Sequence, residues 1–299
     1  MPIPEYQLST WSNIGATASA EATHHSIRNA LEQSAKLSRV TYEAYLQGSY
    51  RNSTNIRGDS DVDLVVQLNS SFQGNTSGLS PEENNLFNRT FSDATYGWSE
   101  FRADVLEALR SYYGSTQVEE GKKTLKVKAG SGRLPADVVV CMQYRKYKSF
   151  RGLQSDNYVE GMTFYVPSEN RWVINYPKVH YDNGAAKNQY ARTRGQYKPV
   201  IRMFKNTRSY LIQREKIEKS LAPSYYIECL LYNVPDRMFE ASFQNSYYNV
   251  VKWLQSNVTS AFVCQNEQLG LFGPEAEQWT MDDAYKLNTE YINLWNNWS

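Results

Sequence analysis

Between Asp61 and Leu68 the chain alternates without a break. In an extended segment Val62, Leu64, Val66 and Leu68 share one side, and Asp61, Asp63, Val65 and Gln67 share the other. This predicts a strand with one wholly apolar face that must cover a core. A second run, Ala136 to Met142 (ADVVVCM), is apolar enough to lie centrally in a sheet and carries Asp137 near its start. Carboxylates at i and i+2 of a strand have Cα atoms about 6.8 Å apart on one face, so Asp61 and Asp63 can converge on a divalent metal pair. An acid opening a buried strand is costly unless a cation or donor compensates it, which makes Asp137 a third candidate ligand.

Ser49, preceded by Gly48, stands twelve residues before Asp61, where a short strand, Tyr42 to Leu46, ends. A glycine lets backbone approach a phosphate closely and the serine adds a hydroxyl, as a phosphate-gripping turn requires. Each piece alone has a plainer reading, GS as a common turn and DSDVD as a solvated loop end. Their combination and spacing are what point to chemistry.

Helical periodicity predicts helices over Ala22–Ser38 and over Trp98–Tyr113, the latter ending at Gly114. Residues 69–96 read as a long polar excursion with one helical turn after Pro81, and Thr124–Lys128 as a strand. After Tyr144 the composition shifts. Two aromatic strand-like pieces, Met162–Val166 and Arg171–Tyr176, precede helices over Tyr197–Gln213, Pro223–Tyr232, Ser246–Gln255 and Met281–Trp298. The fold class expected is α+β, with a mixed sheet in residues 1–150 and a mainly helical lobe in residues 151–299.

Charge narrows the partners. With 32 Lys and Arg against 31 Asp and Glu, no global basic field exists to hold a long nucleic acid by counterion release. No apolar run approaches membrane-spanning length and the start MPIPEYQLSTWSN has no signal-like character, so a cytoplasmic protein without a membrane partner is expected. Cys141, Cys229 and Cys264, an odd number without CxxC spacing, read as buried thiols. His24 and His25 read as structural. Lys126 and Lys128, beside Lys122 and Lys123, fit a shielded edge strand better than a phosphate grip. Trp172, Tyr176 and Tyr181 fit core better than a base pocket.

The segments QGSYRNSTNIRGDSDVDLVV, LPADVVV, IRMFKN and PSYYIECLLYNVP together resemble the cGAS/DncV-like nucleotidyltransferases, a group with a polymerase-β-type core. EGMTFYVPSENRWVINYPK and NGAAKN resemble the CdnE clade. The resemblance implies a nucleotidyltransferase core with an N-terminal helix (1–150), a helical nucleotide-binding lobe (151–299) and an active site in the cleft between them. It implies Asp61, Asp63 and Asp137 on two Mg²⁺ ions, with Mn²⁺ able to substitute, Gly48 and Ser49 on the donor phosphates, Lys205 and Ser224 on the triphosphate, Tyr225 stacked on a base, and Asn175 in the base pocket. Asp137 is then the candidate either to lower the attacking hydroxyl's pKa through the metal or to accept its proton. The function expected is a monomeric cyclic dinucleotide synthase of bacterial anti-phage (CBASS) defence. It would use nucleoside triphosphates, UTP with ATP as a second substrate, to make cyclic di-UMP or cyclic UMP-AMP. The alternatives are a template-independent RNA-end nucleotidyltransferase and an inactive nucleotide-binding protein.

Overall fold

The computed structural model describes residues 1–57, 61–130 and 132–298. Its strands are β1 (Tyr42–Leu46), β2 (Val62–Asn75), β3 (Val118–Glu120), β4 (Leu125–Val127), β5 (Ala136–Phe150), β6 (Asp156–Val166) and β7 (Arg171–Asn175). Two compact units divide the chain. One comprises Ala16–Tyr50 and Ser60–Lys178, the other Met1–Gly15, Arg51–Asp59 and Val179–Ser299. The boundary expected at residue 150 lies inside the sheet, because β5 runs to Phe150 and β6 and β7 pair onward from it.

The first unit is one mixed sheet in the order β1-β2-β5-β4-β3, with β6 on β5 and β7 on β6. β2 and β5 run parallel and the other pairs antiparallel. The predicted alternation partitions the core as expected. Val62, Leu64, Val66 and Leu68 join Ala136, Val138 and Val140 in a layer closed by the helices Ala18–Glu32, through Ile27 and Leu31, and Trp98–Tyr113, through Phe101, Val105 and Leu109. On the opposite face Val65, Val139 and Cys141 pack with Met162, Phe164, Val166 and Val173.

Three expectations change here. β2 continues to Asn75 through a register shift between Leu68 and Phe72, so the polar stretch NSSFQGN is strand. The turn after Pro81 is a full helix, Pro81–Thr90, because Ser80 accepts from the Glu83 N–H while the Glu83 carboxylate accepts from the Ser80 N–H. β4 is no edge strand, since it lies between β5 and β3.

The second unit is helical. Helices Tyr197–Gln213, Phe243–Asn257 and Met281–Asn296 bury a shared core in which the Phe204 and Tyr247 rings stack with centroids 4.9 Å apart. Its phenols are satisfied by backbone: Tyr247 donates to the Tyr291 carbonyl (2.9 Å) and Tyr291 to the Phe204 carbonyl (3.1 Å). Helix Glu5–Ser12, which the sequence reading left out, is tied to Tyr197–Gln213 by Asn206 donating to the Trp11 carbonyl at 2.7 Å. All three cysteines are buried free thiols.

Candidate active site

Parallel pairing of β2 with β5 makes Asp63 and Asp137 register partners. Neighbouring strands lie about 4.8 Å apart and the two positions have the same side-chain parity, so both carboxylates stand on one sheet face. That face is the one opposite Val62 and Leu64. Each acid sits two residues before a buried valine, Val65 or Val139, at the margin of the apolar cluster that β6 and β7 cover. Both are half-buried, whereas Asp61, one residue ahead of β2, is exposed. Thr124 donates to Asp137 Oδ1 at 3.3 Å, and Lys126 on β4 is the next residue along the same row.

The Gly48 backbone closes against the first of this pair, Asp63. Gly48 has φ +64°, and a Cβ there would overlap the Asp63 carboxylate. The Gln47 N–H donates to the Asp63 carbonyl at 2.9 Å. Only glycine tolerates both the left-handed backbone and the approach. The strand-turn-loop reading is corrected locally: Gly48 and Ser49 open a short helix, Gly48–Asn52. Gly58, Asp59 and Ser60 of the same motif lie outside the described residues.

Among the described residues no three His, Cys, Asp or Glu side chains are gathered in a metal-binding group. The donor set nevertheless fits hard divalent cations, which take carboxylate oxygens. Asp63 and Asp137 are side by side on one face, and Asp61 precedes the first of them.

In the helical unit the structure places Lys205 somewhere its sequence does not suggest. Its side chain is 2% exposed, and its ammonium donates to Glu228 Oε1 (2.5 Å), the Thr54 carbonyl (3.2 Å) and Thr54 Oγ1 (3.3 Å). Those three bonds use all its donors. Glu228 also accepts from Thr54 Oγ1 (2.7 Å), His180 Nε2 (3.2 Å) and Asn52 Nδ2 (3.3 Å). Burial alone would push the Glu228 carboxyl up, but Lys205 and then His180 outweigh it and hold the group well below the usual carboxylate range. Glu228, His180, Thr54 and Asn52 escaped the sequence reading. Thr54 and Glu228 are 174 residues apart, and the one available signal was an acid inside the otherwise apolar helix Ser224–Tyr232.

Ser224 is the first residue of that helix, half-buried, beside N–H groups that have no intrahelical partner. Tyr225 is 38% exposed, and its ring stacks on His180 at 5.4 Å and 24°. Its hydroxyl accepts from Asn266 Nδ2 at 3.4 Å. Asn175 ends β7 opposite Met162, and among the described residues its side-chain amide makes no hydrogen bond. Of the aromatic trio, Tyr176 is buried as expected, Trp172 is 42% exposed, and Tyr181 is half-buried. His24 is structural, its Nε2 lying 3.1 Å from the Ala44 carbonyl.

Residues 26–152 match the nucleotidyltransferase domain model, and residues 182–296 match that of the cGAS/DncV-like nucleotidyltransferase C-terminal helical domain. The chain is 54% identical over 298 residues to a cyclic UMP-AMP synthase of Rhodothermus marinus, an alignment covering 100% of this chain and 99% of the relative. It is 42% identical to the cyclic nucleotide synthase CdnE01 of Staphylococcus haemolyticus, over the whole of both chains. The solved structure of the R. marinus CdnE c-UMP-AMP synthase with Apcpp and Upnpp superposes with a TM-score of 0.91 at 53% identity, covering 100% of this chain and 98% of that one.

Proposed function

Because this chain belongs to the cGAS/DncV-like nucleotidyltransferases, in the CdnE clade, and is by that membership a nucleotide-transferring enzyme, we propose that it joins UTP with a second nucleoside triphosphate into cyclic UMP-AMP or cyclic di-UMP. Pyrophosphate leaves at each step. Its product serves as a second messenger of anti-phage defence. The observation that carries this reading is end-to-end similarity to a cyclic UMP-AMP synthase, together with an Asn175 amide that makes no hydrogen bond among the described residues and can meet the O4 and N3–H edge of uracil.

The residues take roles accordingly. Asp61, Asp63 and Asp137 would hold the divalent ions, which supply positive charge to the attacking hydroxyl and the departing pyrophosphate. Asp137, fixed by Thr124, accepts the proton of the attacking hydroxyl. Gly48 and Ser49 offer backbone and hydroxyl to the donor phosphates. Ser224 and the N–H groups at its helix start suit the triphosphate, and the exposed Tyr225 ring suits a base. Lys205, committed to Glu228 and Thr54, acts by holding residues 52–54 within the helical unit. No helix among the described residues is long and apolar enough to cross a membrane.

The test is direct. Pure protein is incubated with each labelled triphosphate singly and in pairs, with Mg²⁺ or Mn²⁺, and the products are identified by mass. Uridine-containing cyclic dinucleotides are expected. Exclusive use of ATP or GTP overturns the base assignment, and linear oligomers overturn the cyclisation.

A further inference from the structure

Asn175 is the last residue of β7, two beyond Val173, which packs with Val65 and Val139. By strand parity its amide leaves the sheet on the face that carries Asp63 and Asp137, and among the described residues it makes no hydrogen bond. The backbone around it is held on both sides. Before it, β7 pairs with β6, and Asn175 itself stands opposite Met162. At Gly161, the neighbour of Met162, an added Cβ would come within 2.8 Å of the Asn175 carbonyl oxygen and 2.9 Å of Tyr176 Cδ1. No Cβ fits against a backbone atom at that distance, so the glycine is what lets the end of β7 and the Tyr176 ring lie down on β6. Tyr176 is buried there, edge-on to Tyr144 with ring centroids 6.1 Å apart.

Three residues after Asn175 the chain is fastened again. Lys178 sits in the first turn of helix Pro177–Lys187, where the helix dipole disfavours a cation. Two carboxylates hold it there. Its ammonium donates to Glu160 Oε1 of β6 at 2.6 Å and to Glu43 Oε1 of β1, and stands 5.2 Å from the centroid of the Tyr45 ring. Gln67 of β2 ties the two acids together, its Nε2 lying 3.1 Å from each of the same two oxygens. Burial alone would draw the ammonium down, but the bonds to Glu160 and Glu43 outweigh it and hold the group above its ordinary range. A partly buried ion network is often no more stabilising than apolar packing of the same volume, and its best-attested use is to fix geometry.

We propose that Gly161 and Lys178 are positioning residues for Asn175, the one seating the end of β7 on β6 and the other fastening the chain three residues on, so that together they fix where the Asn175 amide meets the nucleobase and thereby which base is taken. The inference rests on the base-pocket reading of Asn175 given above. An amide distinguishes uracil from adenine by where it places one donor and one acceptor. A small displacement of its backbone therefore changes base preference before it disturbs the chemistry at the acids.

The test is a double-mutant cycle on base choice in the full chain. Lys178→Met, Lys178→Arg and Gly161→Ala are each made in the wild-type and in the Asn175→Ser background, and kcat/KM is measured for UTP at saturating ATP and for ATP at saturating UTP, with thermal midpoints alongside. In the wild-type background Lys178→Met and Gly161→Ala should each lower the preference for UTP by about tenfold, through KM more than kcat, and Lys178→Arg should restore most of what Lys178→Met loses. In the Asn175→Ser background the same substitutions should leave the preference unchanged, because the amide through which they act is gone. Residues that only stabilise the fold would lower both substrates alike in both backgrounds. An unchanged preference in folded Lys178→Met and Gly161→Ala, or losses that add to that of Asn175→Ser, overturns the positioning role. Should Lys178→Met not fold, Gly161→Ala is read by the same outcomes. A wild type that consumes no UTP ends the uridine reading; the cycle then runs on the triphosphates it does consume, where non-additivity with Asn175 supports positioning and additivity overturns it.

Discussion

Asp63 and Asp137 are register partners on two parallel strands, and the backbone of Gly48 closes against the first of them. Two carboxylates are thereby held side by side at the margin of an apolar cluster, with Thr124 and Lys126 beside the second of them. Like charges so placed repel, and a divalent cation would relieve that repulsion.

Replacing either acid should therefore abolish turnover and leave the fold intact. Asp63→Asn or Asp137→Asn is expected to lower the rate by about 10²–10³, the scale for removing one preorganised charge-stabilising group. Product formation is measured against thermal stability in the same preparations. Near-native turnover in a folded Asp63→Asn/Asp137→Asn double variant would sink the assignment.

Gly48→Ala separates stability from activity. A side chain at φ +64° costs about 1–2 kcal/mol, and its methyl displaces the Asp63 carboxylate. The expected result is a modest fall in the urea midpoint with a far larger loss of turnover. Parallel losses would mean that the glycine serves the fold alone.

The Lys205–Glu228 pair should matter most when only half of it is removed. Glu228→Gln leaves a buried ammonium uncompensated and is expected to cost about 3–5 kcal/mol, whereas Lys205→Met with Glu228→Leu should cost distinctly less. Urea denaturation of the three proteins decides it.

Acid should reveal the same pair. The folded Glu228 carboxyl is held below its ordinary value, so its stabilising contribution is complete above the usual carboxylate range and drains away as pH falls beneath it. Between about pH 6 and about pH 3 the wild type should lose more stability than the apolar double variant. An equal loss in both would place the acid sensitivity elsewhere.

Base choice tests Asn175. Asn175→Ser removes an amide able both to donate and to accept, at about 1–3 kcal/mol for the buried bonds lost, and should shift incorporation from uridine towards purines. The ratio of labelled UTP to ATP consumed in mixed reactions reads this out. An unchanged ratio takes Asn175 out of the pocket.

Apolar stripes located the main helices, although Ala22–Ser38 was expected where the helix is Ala18–Glu32, and Ser246–Gln255 where it is Phe243–Asn257. Helices Trp98–Tyr113 and Tyr197–Gln213 have the bounds expected from their stripes. The second halves of β2 and β5 were missed because a backbone ladder is indifferent to side-chain polarity, and polar residues there find cover of their own. Arg145, for example, lies over the Phe72 ring at 3.9 Å. Helix Pro81–Thr90 was shortened although its capping residues, Ser80 and Glu83, stand in plain view. The acids proposed to hold metal form a local pattern in the sequence, and the pairing of β2 with β5 sets Asp63 beside Asp137. The burial of Lys205 was not, because Thr54 lies 151 residues from it along the chain, and no local pattern reports a contact of that kind.

The parallel pairing of β2 with β5 also bears on how the protein comes into being. A hairpin partner would meet Asp63 within a few residues, but Asp137 reaches it only after residues 64–136 have been made and folded into place. Closing so long a loop is slow, and the entropy is spent before the contact rewards it. A nascent or truncated chain that ends before β5 consequently has no paired acids at all. The two acids come to stand side by side only when β5 has taken its place beside β2.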